Sequence, residues 1–246
     1  MRQIISFANH KGGVGKTTSV SSIGVALSQM GKKVLLIDLD PQTNLTGLFT
    51  QEEQERTIYD SLRDLGSLPL IHIREGLDLC PGSIDLVSMD IELASLPDRE
   101  YRLKKLLQGR DYDFVLLDCP PSLGLLTQNA LSASSEVIIP LTPEALPTKG
   151  LGTLLNIIDL VKRNSNPDLK LGGILITRYN RRKINRLVEE TLRESFGDLV
   201  FKTKIRDNVD LSESPLEGKD IYSYSPGSIG AKDYTEVAKE ILQKLK

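Results

Sequence analysis

The sequence predicts an α/β fold, in which a doubly wound, mostly parallel sheet carries helices on both faces. Short apolar runs alternate with stretches of helical spacing along the whole chain. The apolar residues within each run are contiguous, as they are in strands that are buried on both faces. A glycine-rich turn at residues 9–15 separates the first run from the first helical stretch. Because parallel strands end at one edge of such a sheet, we expect the functional residues at that edge.

Each element is predicted from its own apolar spacing and from the turn-forming residues that flank it. The predicted strands are at residues 3–8, 33–38, 76–80, 112–118, 137–141, 171–177 and 199–203. The predicted helices are at residues 16–30, 58–65, 84–96, 98–107, 151–161, 184–196 and 231–246. The residues expected to face inward on helix 184–196 are Ile184, Leu187, Val188, Thr191, Leu192 and Phe196. The rest of residues 45–70, and residues 205–230, are predicted to be irregular.

Composition limits the class of protein. A chain of 246 residues fits one α/β domain over residues 1–246, and its 39% apolar and 26% charged residues are ordinary for a globular protein. The net charge of −2 gives no overall signature of nucleic-acid binding. Cys80 and Cys119 are too far apart in sequence to suggest a disulfide framework or a zinc site, which favours a reducing cytoplasm. No signal peptide and no membrane span are predicted.

Residues 9–18 read N-H-K-G-G-V-G-K-T-T, which is typical of a phosphate-binding loop. Glycines allow backbone N–H groups to close around phosphate oxygens, and the following helix directs its positive end at them. Lys16 supplies a charge for the β- and γ-phosphates, and the Thr17 hydroxyl can coordinate Mg²⁺. The usual motif begins with glycine, whereas this chain has His10 there and a second lysine, Lys11, directly after it.

Carboxylates follow two of the predicted strands. Asp38 and Asp40 end strand 33–38, and their side chains share a face if the chain stays extended. Asp118 ends strand 112–118, which is the Walker B pattern of an apolar run closed by an aspartate. Such an aspartate holds Mg²⁺ or one of its waters, and its strand is expected beside the phosphate-loop strand. We interpret Cys119 as a small buried residue.

These motifs together resemble the ParA/Soj group of the ParA/MinD ATPases, which carry a deviant Walker A motif. The matching segments are residues 11–18, 34–42, 117–124 and 208–215, and the similarity runs from about residue 2 to residue 243. The resemblance implies that ATP and Mg²⁺ are bound and that ATP brings two subunits together as a homodimer. It also implies slow hydrolysis of ATP in the absence of an activating partner.

The resemblance assigns a role to each site residue. Lys11 would reach the phosphates of the partner subunit, and Asp40 would orient the attacking water. Thr17 would bind Mg²⁺ directly, with Asp38 and Asp118 acting through its waters. The adenine is expected to lie against the turn at Asn180 and the loop at residues 205–208, with turn formation as the alternative role of Asn180. The residues implied to hold the nucleotide's phosphates are Gly12, Gly13, Val14, Gly15, Lys16, Thr17 and Thr18.

The family's cargo-segregating members bind DNA without sequence preference as ATP dimers, and a ParB-like partner releases them. Residues 178–206 contain nine basic and four acidic residues, a local excess that suits DNA phosphates. An ordinary solvated helix face is the alternative interpretation. The residues predicted to bind DNA are Arg178, Arg181, Arg182, Lys183 and Arg186. Asp210 departs from the Soj pattern, which has a second arginine there, and this removes one expected DNA contact.

Other functions within the wider family are also considered. The tetrapeptide at residues 177–180 is similar to one in MinD-like proteins, which cycle on membranes, but the last predicted helix lacks Phe and Trp and mixes Glu with Lys. The nitrogenase iron protein needs two cysteines facing a dimer axis, which Cys80 and Cys119 match poorly. A ParA-like protein could serve a plasmid, a chromosome or a protein cargo, and the sequence does not distinguish these. Its expected location is the cytoplasm, on the bacterial nucleoid when ATP is bound.

Overall fold

The computed structural model describes residues 3–143 and 148–244, and in them seven strands form one sheet. The strands are β1 (Gln3–Phe7), β2 (Val34–Asp38), β3 (Ile71–Arg74), β4 (Leu77–Cys80), β5 (Phe114–Asp118), β6 (Glu136–Leu141) and β7 (Lys170–Ile176). Their order is β3-β4-β2-β5-β1-β6-β7, and β3 alone among these strands pairs antiparallel. The predicted doubly wound, mostly parallel sheet is therefore confirmed.

Among the described residues, seven helices lie between strands along the chain and four follow β7. They are α1 (Lys16–Gln29), α2 (Asn44–Phe49), α3 (Ile58–Asp64), α4 (Leu86–Ser95), α5 (Arg102–Leu106), α6 (Leu125–Ala133), α7 (Thr148–Asn164), α8 (Lys183–Phe196), α9 (Asp210–Glu213), α10 (Ile221–Tyr224) and α11 (Ile229–Lys244). Two short 3₁₀ turns occur at Gly197–Leu199 and Ser214–Glu217. The extent of the single domain over residues 1–246 stays a prediction.

Two separate apolar cores cover the two faces of the sheet. Along β2, Leu35 and Ile37 enter one core, whereas Val34 and Leu36 enter the other. The first core contains apolar residues of α3 to α8, and the second contains those of α1, α2 and α11. Because successive side chains of a strand point to opposite faces, a strand that feeds both cores must be apolar throughout. This explains the contiguous apolar runs of the sequence.

Some elements were not predicted. Helix α6 carries buried polar residues such as Thr127 and Asn129 beside its apolar ones, so it lacks the contrast between faces that marks an amphipathic helix. Helix α2 and strand β3 lie at the edges of the segment predicted to be irregular, and α9 and α10 lie within residues 205–230. These elements are short, which leaves too few residues for a periodic pattern.

Other predictions were wrong in detail. Residues 199–203 do not form the predicted strand. A 3₁₀ turn ends at Leu199, and Val200 makes only an isolated bridge with Ile174. The helix predicted at 98–107 is α5 only, since Asp98 has a φ of 53° that a helix does not allow. On α8, Ile184 and Leu187 are 40% and 49% exposed instead of facing inward. The prediction for residues 245–246 lies outside the described residues.

Candidate nucleotide site

The glycine-rich loop between β1 and α1 forms an open cradle. Gly13 and Gly15 have φ angles of 72° and 83°, in the left-handed region that favours glycine. An added Cβ at Gly12 or Gly13 would meet no atom within 4 Å, so the backbone at these two positions faces open space. Gly15 caps α1, which directs the helix's positive end into the cradle. This backbone suits an anionic group such as a phosphate.

Side-chain hydrogen bonds attach this loop to the neighbouring strands. The Thr177 hydroxyl, just beyond β7, lies 2.8 Å from the Val14 carbonyl oxygen and 3.1 Å from that of Leu141, and one hydroxyl hydrogen serves both. The Asn9 side chain donates to the Pro140 carbonyl at 2.7 Å and accepts from the Lys11 N–H at 3.0 Å. The loop is therefore held by β6 and β7 as well as by its own strand.

Asp38 and Asp118 meet beneath the loop. Strand β5 lies between β2 and β1, and its register sets Asp118 opposite Asp38 on one side and Phe7 on the other. The predicted contact between the Walker B strand and the phosphate-loop strand is confirmed. Both carboxylates are fully buried. Burial raises the pKa of each carboxyl above its usual value, and the neighbouring charge of Asp38 raises that of Asp118 further.

The two carboxylates differ in their partners. Asp38 accepts hydrogen bonds from the Thr46 N–H at 2.8 Å and the Thr46 hydroxyl at 2.7 Å. That hydroxyl in turn accepts from the Gly82 N–H at 2.9 Å. Neither oxygen of Asp118 makes a hydrogen bond of ordinary geometry among the described residues, although the Thr17 hydroxyl lies close enough to lower its pKa. A buried carboxylate that lacks such hydrogen bonds is costly, and a divalent cation would satisfy it. The residues present therefore fit Mg²⁺, with Thr17 as a further oxygen donor.

A cavity of about 720 Å³ opens over this arrangement. Lys16 and Asp40 line it and are 7% and 8% exposed, and the Asp40 carboxylate accepts from the Gln42 N–H at 3.0 Å. Predicted residues that also line it are Gly12, Gly13, Gly15, Thr17, Thr18 and Arg178. The cavity is also lined by the loop that the resemblance implies to contact the adenine (Ile205, Arg206, Asp207 and Asn208) and by residues without a predicted role, among them Thr177, Leu211, Ile221 and Tyr234.

Five residues predicted for the nucleotide or metal site are not among those that line the cavity: Lys11, Val14, Asp38, Asp118 and Asn180. The Lys11 ammonium is 3.5 Å from the Thr142 hydroxyl, at the end of β6. The Asn180 side-chain oxygen accepts from the Arg182 N–H at 3.2 Å, and the Asn180 N–H donates to the Asn185 side-chain oxygen at 2.8 Å, which is the behaviour of a turn-forming residue. Its predicted contact with adenine stays a prediction. Asn208 lines the cavity, and its buried Oδ1 has no partner within the described ranges.

The predicted DNA-binding residues are all exposed, on the turn after β7 and the first turns of α8. No salt bridge involves them in the part of the chain that the structure describes. Other basic residues of the same segment form ion pairs, since Arg193 and Lys204 share Glu189 and Arg206 pairs with Asp233. The exposed positive charge is therefore concentrated near the start of α8.

Residues that the nitrogenase-like and MinD-like alternatives would need at the surface are buried instead. Cys80 and Cys119 are free and fully buried, and burial raises the pKa of the Cys119 thiol to about 12. On α11, Tyr234, Val237 and Ile241 are buried in the second core, and the Tyr234 hydroxyl lies 3.1 Å from that of Ser19 on α1. Among the described residues, no helix combines the length and apolarity that crossing a membrane requires.

Comparisons with known proteins identify relatives of this chain. A model of the AAA domain family matches residues 2–171. The chain is 44% identical to the sporulation initiation inhibitor protein Soj of Bacillus subtilis, over 98% of each protein. It is 42% identical to the chromosome-partitioning ATPase Soj of Thermus thermophilus, over 98% of this chain and 96% of that protein.

A solved structure extends the comparison to the fold. Cobyrinic acid a,c-diamide synthase from Mycobacterium smegmatis, with bound ADP and magnesium, matches with a TM-score of 0.86 and 37% identity, over 100% of this chain and 96% of that one. The resemblance to the ParA/MinD ATPases therefore holds for sequence and fold alike. The family model and the nearly full-length matches to these relatives show that the chain belongs to the ParA/Soj family of partitioning ATPases.

Proposed function

We propose that this chain hydrolyses ATP with Mg²⁺, and that its ATP-bound homodimer binds DNA without sequence preference to partition a DNA cargo. The observation that carries the proposal is the buried Asp118 carboxylate, without a hydrogen bond of ordinary geometry among the described residues, beneath a glycine cradle that also holds Lys16. A cradle for phosphate above a buried acidic pair is what a metal–nucleotide complex needs. The bound ADP and magnesium of the Mycobacterium smegmatis structure support the same ligands here.

The residues at the cradle have different roles in phosphoryl transfer. The backbone N–H groups of residues 12–17 and the Lys16 ammonium bind the phosphates of ATP and balance their charge. Mg²⁺ would be held by Thr17, with Asp38 and Asp118 behind it, and it supplies charge neutralisation as the γ-phosphate leaves. Thr46 fixes the orientation of Asp38 through two hydrogen bonds. Asp40, in the cavity wall, orients the water that attacks.

Lys11 acts on the second subunit in this proposal. The resemblance supplies this role, and the position of Lys11 outside the cavity wall of its own chain, with its ammonium 3.5 Å from the Thr142 hydroxyl, supports it. A lysine supplied across a dimer stabilises the charge that develops in the transition state, as an arginine finger does.

Changing Lys11→Ala is expected to leave ATP affinity within about 3-fold of wild type and to reduce ATP turnover at least about 100-fold, because the lost charge is needed only in the transition state. Nucleotide titration and phosphate-release assays measure the two effects. Lys104→Ala, on an exposed part of α5, serves as the control. Normal hydrolysis by the Lys11 variant would exclude the lysine acting across the dimer.

DNA binding is assigned to the exposed basic residues near the start of α8. A dimer presents two such surfaces, so the electrostatic attraction to DNA phosphates acts twice in one encounter. A ParB-like partner would end DNA binding by stimulating hydrolysis. We place the protein in the cytoplasm, on the nucleoid when ATP is bound. The cargo can be a plasmid or a chromosome; a protein cargo is the alternative, and it would share the ATPase cycle.

The test measures how much DNA the Asp40→Ala protein retains, because this variant is expected to bind ATP without hydrolysing it. Retention is compared with ATP–Mg²⁺ and with ADP, at about 50 and 200 mM salt. Binding is expected with ATP alone, and its affinity should fall about 1,000-fold or more across this salt range, as for about six or more phosphate contacts. Combining Arg181→Glu with Arg182→Glu should weaken binding at least about 10-fold. Combining Lys162→Glu with Arg163→Glu gives the same charge change at exposed positions of α7 as a control. Unchanged binding by the α8 variant would place the DNA surface elsewhere.

A further inference from the structure

The histidine at the first position of the phosphate-binding motif rests on helix α7. His10 is exposed overall, yet its ring covers Gly150, the third residue of α7. An added Cβ at Gly150 would overlap His10 Cε1, and it would lie 2.5 Å from Nε2 and 2.8 Å from Nδ1 of the same ring. Any larger residue at position 150 would therefore displace the His10 ring.

This contact explains why α7 has a glycine at position 150. Gly150 has no positive φ, so an alanine could adopt its backbone conformation. A glycine inside a helix is less favourable than an alanine, and its presence there indicates a packing requirement. At Gly152, two residues farther along α7, an added Cβ would meet no atom within 4 Å. The need for space is therefore local to the position beneath His10.

The residues on either side of His10 contact the end of β6. The Asn9 side chain donates to the Pro140 carbonyl at 2.7 Å, and its oxygen accepts from the Lys11 N–H at 3.0 Å. The Lys11 ammonium is 3.5 Å from the Thr142 hydroxyl. Three consecutive residues of the loop therefore rest on β6 and α7, and the course of the chain at Lys11 depends on all three.

We propose that His10 is a positioning residue: its ring, seated on Gly150, directs Lys11 out of its own cavity and toward the partner subunit. The inference rests on the proposed action of Lys11 across the dimer. His10 is not among the residues that line the cavity, so moving its ring should leave the contacts of residues 12–17 with the nucleotide in place. It should instead redirect Lys11, which adjoins His10 in the chain.

Gly150→Ala is expected to reduce ATP turnover about 10- to 100-fold and to leave ATP affinity within about 3-fold of wild type. A misplaced group that acts only in the transition state changes the rate by this much without changing ground-state binding. Single-turnover phosphate release and nucleotide titration measure the two effects. Gly152→Ala is the matched control, because it makes the same chemical change in open space on the same helix. It should alter neither quantity.

Removing the ring should make the change at position 150 harmless. His10→Ala alone is expected to lower turnover about 10-fold, because Lys11 loses a support. Adding Gly150→Ala to His10→Ala should lower turnover by less than about 2-fold more, since no ring remains to be displaced. Two effects that multiply would instead show that the residues do not act through their contact.

Nuclear magnetic resonance observes the contact without any reaction. The chain has two histidines, His10 and His72, so a proton–carbon spectrum contains two imidazole Cε1–H signals. His72→Gln removes one signal and thereby assigns the other. Gly150→Ala should move the His10 signal and leave that of His72, which pairs with Asp78, in place. Gly152→Ala should move neither signal.

Two results would overturn the inference: a His10 signal that Gly150→Ala leaves unmoved, or a turnover that Gly150→Ala lowers no more than Gly152→Ala does. Circular dichroism verifies that each variant is folded. The proposed function fails in a different way, through normal hydrolysis by the Lys11→Ala protein. If Lys11→Ala lost hydrolysis while Gly150→Ala kept it, the action across the dimer would stand and the positioning role of His10 would be excluded.

Discussion

Replacing Lys16→Ala is expected to lower ATP affinity at least about 100-fold, which corresponds to about 2.7 kcal/mol. Lys16 is 7% exposed and lines the cavity, so its charge acts on the phosphates with little screening by water. The same charge lowers the pKa of Asp118, which burial raises. Its loss therefore removes a phosphate contact and leaves the two buried carboxylates without a nearby cation.

Titration with a fluorescent ATP analogue measures this loss. Lys104→Ala on α5 provides a matched control at an exposed position, where affinity should not change. Thermal unfolding of the variant separates a local loss of binding from a loss of fold. If a folded Lys16→Ala protein bound ATP as tightly as wild type, the glycine cradle would not be the nucleotide site.

Replacing Asp40→Ala is expected to reduce phosphate release at least about 100-fold while ATP affinity stays within about 3-fold of wild type. A residue that orients water contributes to the transition state far more than to the bound ground state. Asp40 is suited to this role because it lines the cavity and its carboxylate is oriented by the Gln42 N–H. Asp38, in contrast, is fully buried and held by Thr46.

Single-turnover phosphate release, started with bound ATP, measures the Asp40 effect on the chemical step. Asp168→Ala, at an exposed position before β7, is the control. A parallel loss of affinity and turnover would instead assign Asp40 to ATP or metal binding. Normal turnover would remove it from the reaction altogether.

Six of the seven described strands were predictable, chiefly because they are buried on both faces, whereas the short edge strand β3 is only partly buried and was not predicted. A strand such as β5 must be apolar throughout, and that pattern is visible without a structure. Helix α6 was not predicted because its buried face includes the polar residues Thr127 and Asn129, so the face is not marked by apolar residues alone. On α8 the polar residue Asn185 is buried, and its side chain donates to the Pro143 carbonyl at 3.0 Å. The spacing of apolar residues could not predict that a polar residue faces inward.

The site was predictable where its chemistry is local. Lys16 and Thr17 follow glycines in one loop, and Asp38 and Asp118 each end an apolar run. Thr46, which orients Asp38, lies eight residues away with no motif around it, so only the fold reveals its role. The same holds for Thr177, which reaches the loop from a strand more than 160 residues later in the chain.

The route of the chain through the sheet has a consequence for synthesis on the ribosome. Strand β1 emerges early, but its neighbours β5 and β6 are made more than 100 residues later. The loop that follows β1 gains its last anchor only when Thr177 is available. Contacts between such distant segments form slowly and late in folding. A nascent chain that ends before residue 177 would therefore contain the complete phosphate-binding motif but lack the Thr177 hydrogen bond that holds the loop.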